Sequence, residues 1–176
     1  MTRAELEEAL SRVLAVSRGW ALAQTRWNAA EADDVLQASV LKVLEGSARW
    51  GARSSFRTFV FGVIRQTARE RRRRAFVREL VLLRPSARAA VTPRVDDLAP
   101  DARLLASRES ARLTAALTQL PARQREILHL VFYGELTLDE AARVAGVALG
   151  TARTHYARGK RKLRELLPDL APEGTP

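Results

Sequence analysis

Residues 136–167 read LTLDEAARVAGVALGTARTHYARGKRKLRELL, and the fold is decided by how that stretch divides into two helices. Thr137 and Glu140 stand at the spacing of a capping box, in which the hydroxyl accepts an orphan amide and the carboxylate reaches back to the cap residue. Leu136 and Ala141 flank them where a hydrophobic staple sits. Ala141, Ala142 and Ala145 give an apolar face small enough for another helix to cross closely. Gly146 follows where the chain must reverse, and glycine takes a left-handed conformation there without steric cost. In the next helix Leu149, Ala152, Tyr156 and Leu163 are predicted to face inward, with Arg153, Thr154, His155 and Arg158 outward.

This is the layout of a helix-turn-helix, whose second helix lies in a DNA major groove. Arg153, Thr154, His155 and Arg158 are the candidates for base edges and phosphates. An arginine can grip guanine in two places, worth about 1–3 kcal/mol of discrimination. Thr151 and the Gly150 amide, at a helix start, suit a phosphate oxygen. Lys160, Arg161 and Arg164 add charge. Gly159 should cost its helix about 1 kcal/mol relative to alanine. The competing reading is an amphipathic hairpin with a solvated charged face; the agreement of cap, turn glycine and basic second helix favours DNA.

At 176 residues the chain can bury one moderate core or two small ones. Thirty basic against twenty acidic side chains leave a formal charge of +10, which points to a polyanionic partner. There is no cysteine, which excludes disulfides, thiolate zinc sites and a cysteine nucleophile. With His129 and His155 the only histidines, no metal centre and no cofactor are expected. No apolar run is long enough for a bilayer, and the start, MTRAELEEAL, is acidic and amphipathic rather than a signal peptide. A cytoplasmic protein with no membrane insertion is expected.

Apolar residues recur at helical spacing almost throughout, so the expected fold is all-α: two small helical domains joined by a linker, the C-terminal one containing the helix-turn-helix. Thr2 and Glu5 cap a first helix carrying Leu6, Leu10, Val13, Leu14 and Ala21. A second runs from about Ala30 to Leu44 on Val35, Leu36, Val40, Val43 and Leu44. A third, after Ser54 or Ser55, places Phe56, Phe59, Val60, Val63, Ile64 and Thr67 on one side and ends in ERRRR, with a short extension through Leu83. Residues 84–100, with Pro85, Pro93 and Pro100, read as the linker. The domains are therefore 1–83 and 101–168, followed by a tail over 169–176. In the second domain Leu105, Leu113, Ala116, Leu117 and Leu120 share one helix, and Pro121 starts another with Ile127, Leu128, Val131 and Phe132 as its face.

Laid out this way, both halves resemble an extracytoplasmic-function sigma factor, a bacterial RNA polymerase specificity subunit with two helical domains. EADDVLQASVLKVLEG, residues 31–46, is similar to the family's helix that grips the polymerase clamp. FRTFVFGVIRQTARERRRR, residues 56–74, is similar to the helix that meets the minus-ten element. LPARQREIL, residues 120–128, resembles the segment preceding the helix-turn-helix that reads the minus-thirty-five element. The resemblance implies core RNA polymerase and promoter DNA as partners, an anti-sigma factor as a regulator, and no catalysis.

On that reading Asp33, Asp34 and Gln37 would pair with basic groups of the polymerase while Leu36, Val40 and Leu41 supply apolar contact. Arg65, Arg69 and the run Arg71 to Arg74, including Arg72 and Arg73, would follow the phosphate backbone. Gln66, with Thr67 and Glu70, stands where the family places a base pocket. Trp50, Phe56, Phe59 and Phe61 are the candidate aromatics for bases pulled from the stack; the helical spacing of Phe56 and Phe59 favours a core role, and Trp50, in a loop, is the better candidate for exposure. His129 reads as a packing residue. Ala38, Gln66, Ala148 and His155 depart from the family's usual residues. Two other functions compete with this one. A stand-alone regulator resembling LuxR-type proteins would share the second helix of the helix-turn-helix but leave residues 31–74 unexplained. A nuclease holding metal on Asp33, Asp34, Asp96 and Asp97 lacks any histidine or glycine-rich loop to complete its site.

Overall fold

The computed structural model describes residues 2–82 and 111–170, all helical apart from turns and short connections. The expected linker at 84–100, Leu105 and the end of the tail lie outside the described residues. The elements are α1 (Arg3–Gln24), α2 (Ala29–Leu44), α3 (Phe56–Leu82), α4 (helical over 111–118), α5 (Ala122–Phe132), α6 (Leu138–Ala145), α7 (Leu149–Leu166) and a final 3-10 turn, Pro168–Leu170.

Local chemistry sets the helix ends. Thr2 caps α1 with both halves of the capping box formed, and the Asn28 side chain accepts the Glu31 amide at 3.0 Å to start α2. Arg26 and Trp27, both at positive φ, make the sharp turn between them. Thr137 caps α6 in a complete capping box, and Gly146 ends it at φ 62, the left-handed conformation glycine accepts most readily. Ala148 starts α7 in cap geometry but offers no side-chain acceptor. Helix α3 does not stop at the arginine run; it continues as one helix to Leu82.

Helices α1, α2 and α3 pack around Trp20, which is fully buried, stacks on Phe61 at 5.8 Å and donates its indole N–H to the Phe61 carbonyl at 2.9 Å. Burying an aromatic of this size dominates a small core, and its polar edge is satisfied where it lies. Ala32, Val35 and Val43 of α2 and Val60, Ile64 and Ala68 of α3 complete that layer. In the second half Ile127, Leu128 and Leu130 of α5 meet Ala141, Ala142 and Ala145 of α6 and Ala152 of α7. Phe132, expected in this core, is 56% exposed and stacks on Tyr156 at 6.0 Å, because Leu130 takes the inward position instead.

Whether the two halves touch was open in the sequence; they do. His129 of α5 lies 5.4 Å from the Trp20 ring, the Phe61 side chain reaches the turn at Gly134, and the buried apolar residues of both halves form one continuous cluster. A Cβ at Gly134 would stand 2.7 Å from Phe61 and 2.5 Å from the Leu130 carbonyl, so only glycine permits this approach.

Candidate nucleic-acid interface

The first turns of α7 are uncommitted. Gly150, Thr151, Arg153, Thr154 and Arg158 are exposed. The absence of a side-chain cap leaves the first amides of α7 without a side-chain acceptor, a ready site for a phosphate oxygen. Arg153 and Arg158 form no ion pair among the described residues, as a base-reading or phosphate-gripping arginine requires before it meets its target. Two candidates are more constrained. Thr154 donates its hydroxyl to the Gly150 carbonyl at 3.0 Å, and half-buried His155 buries Nδ1 without a partner among the described residues.

Helix α7 crosses α5 at Gly159, which is buried. A Cβ there would meet Leu128 at 2.8 Å and Gln124 at 3.3 Å. The sequence marks this glycine as a cost to the helix; the packing shows why none of the larger residues serves. The signal was available: Gly159 lies seven residues from buried Ala152, on the same face.

Helix α3 is different. Its arginines divide into an exposed set, Arg69, Arg73, Arg74 and Arg78, a half-buried set, Arg57, Arg71 and Arg72, and Arg65, which is only 8% exposed. Arg65 donates through Nε to Glu126 at 2.5 Å and through Nη2 to the Ala145 carbonyl at 2.7 Å, both in the second half. Arg65 therefore does not face solvent in this arrangement. Arg71 pairs with Asp34 at 2.6 Å. Exposed Gln66 donates to Glu70 at 3.1 Å, and Glu70 in turn accepts from Lys42 at 2.7 Å. That bond to Lys42, against a smaller opposing effect of burial, holds the Glu70 carboxyl below its ordinary range. Burial, and then the nearby Arg26, lowers the Arg72 guanidinium from its usual value; it stays charged at neutral pH.

Between the halves lies a cleft of about 1640 Å³ whose walls carry Arg26, Arg49, Arg69, Arg72 and Arg73 from one side and Arg123, Arg125 and Arg143 from the other. Such a concentration of cations raises the local density of any polyanion. Trp50 sits in the loop before α3, partly exposed, edge-on to Phe56 at 5.4 Å and donating its N–H to the Ser54 carbonyl at 2.9 Å. Phe61 is fully buried, so it is a core residue and not a candidate for stacking on a base. Phe56 and Phe59 are half-buried against the core.

The acidic start of α2 is partly tied down from within. Asp33 accepts from Arg18 at 3.0 Å and Asp34 from Arg71, so neither carboxylate is unpaired. Asp34, Gln37 and Leu41 are exposed at spacings of three and four and form one outward stripe, while Leu36 and Val40 lean into the core. Leu41, at 53% exposure, is an apolar side chain with no internal role. His129 is buried, its Nε2 has no partner among the described residues, and burial pushes its imidazole down to about 4. Among the described residues no cluster of His, Asp or Glu could hold a metal ion, and no helix is long and apolar enough to cross a membrane.

Residues 8–76 match the family described as Sigma-70 region 2, and residues 116–165 match Sigma-70, region 4. The chain is 29% identical over 155 residues to the ECF RNA polymerase sigma factor EcfG of Rhodopseudomonas palustris (strain TIE-1), covering 84% of this chain and 80% of that protein. It is also 29% identical over 149 residues to the RNA polymerase sigma factor CarQ of Myxococcus xanthus, covering 85% and 82%. A solved structure with the same fold is that of the sigma factor RpoE in complex with the anti-sigma factor NepR from Bartonella quintana. It shares 20% sequence identity, has a TM-score of 0.74, and covers 93% of this chain and 97% of that one.

Proposed function

Since the chain belongs to the sigma-70 family and is an RNA polymerase sigma factor of the extracytoplasmic-function group, we infer that it acts by binding alone: it carries core polymerase to promoters, helps open them, and catalyses nothing itself. The exposed, unpaired start of α7 carries the reading. In it Arg153 and Arg158 read and grip the minus-thirty-five element, with Thr151 and the first amides of α7 on a phosphate. Arg69, Arg72 and Arg73 follow the backbone at the minus-ten element, Gln66 and Glu70 contact a base there, and Trp50 stacks on one. The stripe of Asp34, Gln37 and Leu41 meets the polymerase. An anti-sigma factor holds the free protein, as in the Bartonella complex, and the work is done in the cytoplasm. The LuxR-type alternative gains nothing: it has no place for residues 8–76.

Run-off transcription with sigma-free core enzyme and genomic promoter fragments is the test. Wild-type protein should yield discrete transcripts. Asp34→Ala should lower affinity for core, and Arg153→Ala should weaken promoters that depend on the upstream element. The absence of any transcript with wild-type protein would remove the reading.

A further inference from the structure

The cleft between the two halves gathers far more positive charge than the molecule neutralises. Among the described residues ten basic side chains line it, against two carboxylates, Glu70 and Glu126. Both carboxylates are already taken: Glu70 pairs with Lys42, and Glu126 with Arg65 and Arg123. Arg143 pairs with Asp139. The other six, Arg26, Arg49, Arg69, Arg72, Arg73 and Arg125, form no ion pair among the described residues. Arg72 feels the result, since burial and then the charge of Arg26 both act against its guanidinium. Cations gathered in a partly covered space raise one another's energy until an anion enters.

The walls stand in place without a ligand. At one end of the cleft Ser55 Oγ and Thr58 Oγ1 donate to Glu140 Oε1 at 2.8 Å, and Arg57 donates to Glu135 at 2.6 Å, which ties the first half to the second. Small-molecule sites run to about 300–1,000 Å³. A cleft of about 1640 Å³ therefore takes one molecule of nucleotide size together with its water. Six unpaired guanidiniums match a chain of phosphates better than a single one, because each arginine grips phosphate oxygens with its planar fork. Phe76 adds a contact of another kind. It lines the cleft three residues after Arg73 and four after Arg72, and it is 60% exposed, an aromatic face with no internal role. Nucleobases stack on such faces.

We propose that this cleft is a binding site for a nucleoside polyphosphate: Arg26, Arg49, Arg69, Arg72 and Arg73 on one wall and Arg125 on the other grip its phosphate chain, and Phe76 stacks on its base. Nucleoside triphosphates, which polymerase consumes, belong to this class. The site itself stands on charge and shape. Its consequence rests on the function proposed above: Arg69, Arg72 and Arg73 are shared with the minus-ten backbone, so a bound nucleotide and promoter DNA exclude one another.

Titration calorimetry of the full chain with adenosine triphosphate, free of magnesium and at about 0.15 M salt, is the test. Binding should saturate at one molecule per chain; no saturation, or several molecules per chain, overturns the proposal. Arg26→Gln and Arg125→Gln, on opposite walls, should each weaken binding about tenfold. Arg161→Gln, exposed on α7 and outside the cleft, removes the same charge and should leave binding unchanged. Equal losses in all three variants would mean that net charge alone is read, and would overturn the site. Phe76→Ala, a change at an exposed position, should cost adenosine triphosphate about tenfold in affinity and leave inorganic tripolyphosphate unaffected. Equal behaviour of the two ligands overturns the nucleoside. Saturating duplex DNA of arbitrary sequence should displace the nucleotide, and its retention overturns the exclusion. Run-off transcription separates the two ideas: no transcript from wild-type protein that still binds the nucleotide removes the proposed function and leaves the site standing.

Discussion

Helices α3 and α7 are both rich in arginine, but their obligations inside the molecule are opposite. Gly150, Thr151, Arg153 and Arg158 of α7 project into solvent with no ion-pair partner among the described residues, whereas Arg65 and Arg71 of α3 are held by Glu126 and Asp34. On the function proposed above, α7 meets duplex DNA whose shape is already present, so its donors can wait exposed, whereas α3 meets strands that separate only after polymerase has docked. In a chain of charge +10, the pairing of Arg65 and Arg71 leaves fewer free cations on α3 for sequence-independent binding.

The sharpest way to break this contrast is to remove its common support. Trp20→Ala should cost about 3–5 kcal/mol in chemical denaturation, through lost burial and a cavity. Because Trp20 also faces His129, both halves should melt in one weakened transition; an unshifted second-half transition would show that the cores are independent.

Acid comes next. His129 has an imidazole near 4 in the folded chain against an ordinary 6.5, so between those values the unfolded state binds the proton and the native state does not. Stability should therefore be complete above about pH 6.5 and fall by about 3 kcal/mol as pH drops towards 4. Denaturation midpoints across that range, with His129→Leu as the flattened control, check the slope.

Third, Arg153→Ala should reduce holoenzyme affinity for upstream-element promoters by about 1–3 kcal/mol, roughly 5- to 150-fold, while leaving the unfolding midpoint in place. Arg65→Ala should do the reverse, lowering the midpoint because Glu126 is left buried with its other partner, Arg123, alone. If both variants behaved alike, the contrast between the two helices would fail. The smallest effect is a gain. Ala148 already holds cap geometry, so Ala148→Ser should stabilise α7 by about 1 kcal/mol, seen as a raised midpoint with the fold unchanged.

Much of this was legible in the sequence where the determinants are local. The boxes at Thr2–Glu5 and Thr137–Glu140 and the left-handed Gly146 are read within four residues, and all three are formed. Exposure of the α7 start followed from the same periodicity. What could not be read depends on contacts between distant parts of the chain. Ser55 and Glu140 lie 85 residues apart, and no spacing rule links them. The burial of Arg65, the inward turn of Phe61 and the close crossing at Gly159 are of this kind: each is set by what arrives from another helix. Phe132 misled for a related reason, since an apolar residue next to a helix end fits a core pattern equally well when it stacks on a neighbour's surface.

Glu140 divides its labour between its two oxygens. Oε2 accepts from the Thr137 amide and hydroxyl at 3.0 Å, while Oε1 accepts from Ser55 and Thr58. Burial, the largest single effect, pushes the carboxyl up, but the hydrogen bonds from Thr137, Ser55 and Thr58 together outweigh it and keep the carboxyl below its ordinary range. Without the contact to α3, Oε1 would give up its two hydroxyls to water, yet the first turn of α6 would keep its fastening through Oε2. The start of the helix-turn-helix thus does not depend on that contact. Aspartate is too short to serve both ends, and glutamine has only one acceptor oxygen to divide between them, so the chemistry of this one position demands glutamate twice.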